Sequence, residues 1–162
     1  MTDQDASRTP FVANEGPHPW RRFVAVGDSF TEGIGDPDEA NPGGHRGWAD
    51  RVAEVLAHDV DDFAYANLAV RGKLIGQIVA DQIEPAVALK PDLVSICAGG
   101  NDVIRPGTDP DAIAEQLDDA VARLSSTGAA VVLFTGIDTG FTPVFRAVGG
   151  KVAIYNENVR TI

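Results

Sequence analysis

A single cysteine, Cys97, among 162 residues excludes an internal disulfide. It falls in the apolar run Leu93 to Ala98, which makes it a small buried hydrophobe rather than a catalytic thiol. Basic residues are scarce: 13 Lys and Arg stand against 24 Asp and Glu, for a formal charge of -11. That balance excludes a nucleic-acid backbone or an anionic membrane as the main partner, because both need a basic face. Arg21, Arg22 and Arg46 are too few and too scattered to build one locally. No apolar run reaches membrane-spanning length, so no membrane insertion is expected. Met1 to Pro19 is polar and lacks the apolar core of a signal peptide, so the expected location is cytoplasmic. No His or Cys pair has ligand spacing, and neither a metal nor a cofactor is expected. The phosphate-cradling patterns Gly-x-x-x-x-Gly-Lys and Gly-x-Gly-x-x-Gly are missing after the first apolar run. Asp28, Glu32 and Asp36 would repel a phosphate there, which argues against a nucleotide or flavin.

What is present is an alternation of short apolar runs and helical periodicity. Hydrophobic residues at 44% and charged residues at 23% suit one soluble domain with a real core. Residues 1–20 read as a flexible lead-in and 21–162 as the domain. Phe23 to Val26 is a strand, apolar on both faces as a central parallel strand must be. Trp48, Val52, Val55 and Leu56 recur at helical spacing up to about His58. Asp62 to Ala66 is the second strand. Ile75, Ile78, Val79 and Ile83 mark a helix that Pro85 kinks and Lys90-Pro91 ends. Leu93 to Ala98 is the third strand. Asp109-Pro110 reads as an N-cap followed by Pro at the first helical position, and Gly128 closes that helix. The acidic residues between Asp109 and Asp119 form a solvated helix face. Ala130 to Thr135 is the fourth strand, and Val152 to Ile162 opens a further helix. Strand followed by helix, repeated, predicts a parallel sheet with helices on both faces.

In such a sheet, ligands and chemistry gather at the carboxyl ends of the strands. Three polar segments leave strands there: Gly27-Asp28-Ser29-Phe30, Asn67 to Gly72, and Gly99-Gly100-Asn101-Asp102. Ser29 can attack a carbonyl if a base takes its proton. The backbone N–H groups of Ser29 and Gly72 and the side-chain amide of Asn101 can converge on the resulting oxyanion. Asn101 offers two hydrogens without a charge, and a glycine at 72 lets the backbone approach a substrate closely. Asp28 and Asp102 adjoin these residues and read as capping or loop-fixing acceptors. The three histidines are His18 in the lead-in, His58 at a helix end, both read as solvated, and His45 in the loop after Ser29. Only His45 is placed to line a pocket, and nothing in its setting orients it as a base.

These three segments, in this order and each after a strand, resemble the first, second and third blocks of the SGNH hydrolases, also called GDSL esterases and lipases. The resemblance extends in organisation from Arg22 to Ile162. It implies a flavodoxin-like three-layer α/β/α sandwich with a parallel sheet of order 2-1-3-4-5. It also implies a serine hydrolase acting on carboxylic esters, sometimes thioesters or acetylated sugars. By motif, Ser29 maps to the nucleophile, and Gly72 and Asn101 to oxyanion donors beside the Ser29 backbone. The family's catalytic Asp-x-x-His does not occur in the sequence. The expectation is therefore a domain lacking its fifth strand and last helix, with a C-terminal fragment of the same protein as partner and a small ester as substrate. The alternative is a binding module that kept the scaffold without the base. Asp36 to Gly47 and Ile137 to Gly149 are expected to rim the cleft, with Trp48, Phe141 and Phe145 as apolar wall.

Overall fold

Four apolar segments lie side by side as parallel strands in the order β2-β1-β3-β4. They are β1 (Arg22–Gly27), β2 (Ala64–Asn67), β3 (Leu93–Cys97) and β4 (Ala130–Leu133). A computed structural model describes residues 18–41, 43–58, 60–136 and 148–162. Residues 1–17 of the expected lead-in, and Phe141 and Phe145, lie outside the described residues. The helices are α1 (Ser29–Glu32), α2 (Trp48–Ala57), α3 (Ile75–Ala88), α4 (Gly100–Val103), α5 (Pro110–Ser125) and α6 (Gly149–Thr161). No helix among the described residues is long and apolar enough to cross a membrane.

β1 has neighbours on both sides, with Phe23 opposite Tyr65 on β2 and Leu93 on β3. Its side chains alternate between two cores, as the period of two requires. Val24 and Val26 join Val94 and Ile96 of β3 under α3, α5 and α6, where Ile78, Ile83, Leu117 and Leu124 are buried. Phe23 and Ala25 face the other way with Leu93, against Ala49 and Ala53 of α2. Helices therefore cover both faces of a parallel sheet, giving the three-layer α/β/α architecture. The strand order agrees with the one expected through its first four strands.

Local chemistry accounts for most element ends. Asp109 caps α5 by accepting from the Asp111 N–H at 3.0 Å, and Pro110 opens the helix. Pro85 sits inside α3, but the helix continues to Ala88 and closes when Leu89 N–H bonds back to Pro85 and Ala86 carbonyls. β2 starts two residues later than the sequence suggests, because Asp62 adopts the left-handed conformation (φ 60°) of a turn. His18 is not solvated: it stacks on Trp20 at 5.6 Å, and its Nε2 lies 2.7 Å from the Leu56 carbonyl. His58 is exposed. Cys97 is half-buried rather than buried, since β3 ends there at the mouth of a cavity.

Leu117, on α5, is 1% exposed and belongs to the larger core. Leu117→Ala should destabilise the fold by about 2–5 kcal/mol, read as a lower urea midpoint with an unchanged slope.

Candidate active site

The three polar segments leave β1, β2 and β3 at the same edge of the sheet, and hydrogen bonds lock their order. Beyond the end of β2, Leu68 N–H donates to Ala25 O at 2.8 Å and Val70 N–H to Gly27 O at 3.2 Å. Gly27 is required at the end of β1: a Cβ there would lie 2.5 Å from the Cys97 carbonyl oxygen and 2.8 Å from Thr31 Oγ1. The same residue is gripped from behind by Gln82 of α3. Gln82 Oε1 accepts from Gly27 N–H, and its Nε2 donates to Gly27 O, both at 2.9 Å. Gln82 is buried, so its amide satisfies two backbone groups that water does not reach.

Asp28 follows and caps α1, its Oδ1 accepting from Phe30 N–H at 3.2 Å. Ser29 is the first residue of α1 and half-buried. Among the described residues its hydroxyl has no hydrogen-bond partner. Asn67, at the end of β2, donates through Nδ2 to Thr31 O of α1 at 2.8 Å. Gly72 lies on an exposed turn with φ 76°, and a Cβ there would meet nothing within 4 Å. Its glycine is set by conformation, and the space above it is open to a ligand. Asn101, on α4, ties all three segments: its Nδ2 donates to Asp28 Oδ2 and to Lys73 O, each at 3.1 Å. The structure thus brings Asp28, Asn101 and the turn around Gly72 into one bonded unit on which Ser29 directly follows Asp28.

Asp102 turns away from this unit and accepts from Ile75 N–H at 2.9 Å, capping the N-terminal end of α3. Asp28 and Asp102 are both buried. Burial pushes the Asp28 carboxyl above its ordinary value, the Phe30 bond works against that, and the charge of Asp102 adds to it. Asp102 is also raised by burial, opposed by the Ile75 hydrogen bond.

A cavity of about 410 Å³ opens beside Asp28 and Asn101. Phe30, Ile104, Phe134 and Val152 contribute to its apolar wall. Tyr155 closes one side, its hydroxyl donating to Ala98 O at 2.7 Å. Burial pushes the Cys97 thiol up to about 12, so it is protonated at neutral pH and unsuited to attack. Trp48 does not line the cavity. It packs behind it, stacked on Phe30 at 6.0 Å and tilted on Phe134 at 4.8 Å. Among the described residues no three His, Cys, Asp or Glu side chains are grouped to hold a metal.

His45 does belong to a rim loop, where it pairs with Pro37 in an antiparallel bridge. Its Nε2 lies 3.4 Å from the Arg71 guanidinium, a cation, which is the wrong neighbour for orienting a general base. The sequence reading missed one feature altogether. Glu32, on α1, accepts from Arg71 N–H at 2.6 Å and from its guanidinium Nη2 at 2.7 Å. The two residues are 39 positions apart, and no local pattern links them.

The turns carrying Ser29 and Gly72 and the side chain of Asn101 thus lie together at the carboxyl edge of a parallel α/β sheet, Asn101 beside the cavity. A family model for GDSL-like lipases and acylhydrolases matches residues 25–162, and the chain belongs to that family. Solved structures share the fold. LAE5, an alpha/beta hydrolase enzyme from the metagenome of Lake Arreo, Spain, superposes with a TM-score of 0.69 at 21% identity, over 87% of this chain and 71% of that one. TesA does so with a TM-score of 0.63 at 25% identity, over 85% of this chain and 74% of TesA. Axe2, an acetylxylan esterase from Geobacillus stearothermophilus, gives 0.64 at 18% identity, over 87% and 72% of the two chains. A comparison with curated proteins returned no match.

Burial raises both Asp28 and Asp102 above the ordinary value near 3.8, so just above that value the folded state binds more protons than the unfolded chain. More protons bound to the folded state means that this pair lowers stability as pH rises through the window above that value. Asp102→Asn keeps an acceptor for Ile75 N–H and removes one of the two charges. The variant should therefore gain stability relative to the wild type as pH rises from about 4. Urea unfolding between acid and neutral pH checks this; a difference that does not change with pH would contradict the coupling.

Proposed function

We propose that this protein hydrolyses carboxylic esters through an acyl-enzyme on Ser29. The observation that carries the reading is the Asn101 amide, which ties the Gly27-Asp28-Ser29 turn to the turn holding Gly72. Ser29 Oγ attacks the ester carbonyl carbon. The carbonyl oxygen becomes an oxyanion and is held by the N–H groups of Ser29 and Gly72 and by Asn101 Nδ2. The C–O bond to the alcohol then breaks, and the alcohol leaves with the proton taken from Ser29. Water repeats the attack on the acyl-enzyme and releases the acid. Each such donor is worth about 10²–10³ in rate.

The proton acceptor in this reading is an Asp-x-x-His supplied from outside these 162 residues, with a C-terminal fragment of the same protein as the partner that carries it. His18 is engaged with Leu56 and Trp20, and His45 with Arg71. The partner on the substrate side is a small ester, and the apolar wall of the cavity favours an apolar acyl or alcohol group over a sugar. Without its base, a serine hydrolase site retains about 10³–10⁴ over water from binding and the oxyanion hole.

Ser29→Ala should abolish covalent labelling by a fluorophosphonate, read by intact mass, and lower p-nitrophenyl ester turnover by about 10²-fold or more, to what binding and the remaining oxyanion donors supply. Equal turnover by the variant, with ester-like ligands still bound, would establish the binding-module alternative instead. Phe134→Ala and Ile104→Ser enlarge or polarise the cavity wall. They should lower kcat/KM for a hexanoate ester by about 10-fold while changing the acetate ester little, because packing an acyl chain against one large apolar side chain is worth about 1 kcal/mol or more. Equal effects on both esters would place the acyl chain elsewhere.

A further inference from the structure

The donor at Gly72 has a weakness the other two lack. Ser29 N–H is part of α1, and Asn101 is anchored on α4. Gly72 has no side chain of its own and sits on an exposed two-residue turn whose own backbone closure is a long Lys73 N–H to Val70 O bond of 3.4 Å. An N–H that must aim at a developing charge needs a fixed peptide, since a misplacement of about 1 Å can cost about 10²-fold in rate.

Two side chains supply that fixity, one on each flank. On the far flank, Asn101 Nδ2 donates to Lys73 O at 3.1 Å. On the near flank, Glu32 grips Arg71 at both ends. Its Oε2 accepts from the Arg71 N–H at 2.6 Å, and its carboxylate takes the guanidinium through Nη2 at 2.7 Å and Nε at 3.1 and 3.2 Å. Glu32 lies three residues after Ser29 on the same helical turn. The grip therefore references the Gly72 peptide to the helix that carries the nucleophile.

We propose that Glu32 is a positioning residue, acting through Arg71 to aim the Gly72 N–H at the oxyanion. The proposal rests on the assignment of Ser29 and Gly72 above. A surface ion pair of this kind contributes little to stability; here its geometry, with one carboxylate holding both the backbone and the side chain of Arg71, serves orientation instead. The Arg71 hydrogen bonds hold Glu32 below the usual carboxylate range, against a smaller opposing effect of burial. The carboxylate consequently stays charged wherever an esterase would work.

The test uses the whole protein, with turnover of a p-nitrophenyl ester and the rate of Ser29 phosphonylation by a fluorophosphonate as parallel readouts. Glu32→Ala removes both grips. Glu32→Gln keeps an acceptor oxygen for the Arg71 N–H and loses the ion pair. Glu32→Ala should lower kcat and the phosphonylation rate by about 10- to 100-fold with KM within about 2-fold, as loss of an oriented donor predicts. Glu32→Gln should recover most of that loss, and the thermal midpoints of both variants should stay near that of the wild type. A Glu32→Ala protein with unchanged rates overturns the proposal. So does a Glu32→Gln protein as slow as Glu32→Ala, or a rate loss that tracks a fall in thermal midpoint. If Ser29→Ala itself keeps the wild-type rates, the reading of the site falls and the proposal falls with it. If Ser29→Ala loses labelling and most of its turnover while Glu32→Ala is unimpaired, the proposal alone falls.

Discussion

Both hydrogens of one side-chain amide hold the carboxyl edge of this sheet together. Asn101 reaches from the end of β3 to Asp28 at the end of β1, and to Lys73 beyond the end of β2. The carbonyl of Lys73 is an obligate acceptor, so the amide nitrogen must face it, and the orientation of Asn101 follows. In the proposed reaction, an oxyanion at this point would compete for a hydrogen already in use. Of the two acceptors, Asp28 is the one whose hold can weaken, because burial and the neighbouring Asp102 charge favour its neutral form. A carboxyl accepts more weakly once protonated, so the bond from Asn101 to Asp28 weakens as pH falls sooner than an unshifted carboxylate would allow.

Much of the scaffold was legible because local rules and the tertiary fold agree. β1 reads as a central strand from four consecutive apolar residues, and both cores account for them. Asp109-Pro110 announces α5, and the cap is made. The parallel order could be anticipated because strand-helix alternation leaves few connections of the right hand. What escaped the sequence depends on contacts between residues far apart in the chain. His18 follows a polar stretch and reads as solvated, yet a stacked Trp20 and a distant backbone carbonyl take it up. Trp48 reads as a cleft wall, and the structure instead uses it to back Phe30 and Phe134.

The same distinction runs through the candidate site. Ser29, Gly72 and Asn101 could be proposed because each follows a strand and carries suitable chemistry. Their supports could not. Gln82 belongs to no motif in the sequence, and it is buried, holding the backbone of Gly27. Glu32 and Arg71 look like two more charges in an acidic chain and meet across the first and second strand ends. Groups that do chemistry are constrained by type and therefore leave a motif. Groups that hold them are constrained by position, and position is written only in the fold.

In the reaction proposed for Ser29, an anion would form in an acidic protein, and the carboxyls beside that serine bear on how it could be accommodated. Ser29 is flanked by Asp28 one residue before it and Glu32 three residues after. Two bare carboxylates there would oppose any oxyanion, because like charges a few ångströms apart repel strongly where water is excluded. Their surroundings change them in opposite directions. Asp28 is withdrawn from water and shifted towards its neutral form. Glu32 keeps its charge but commits it to the guanidinium and N–H of Arg71. Burial favours the neutral form of one carboxyl, and pairing offsets the charge of the other. Both carboxyls beside Ser29 are thus engaged, Asp28 by the Phe30 N–H and the Asn101 amide, and Glu32 by Arg71.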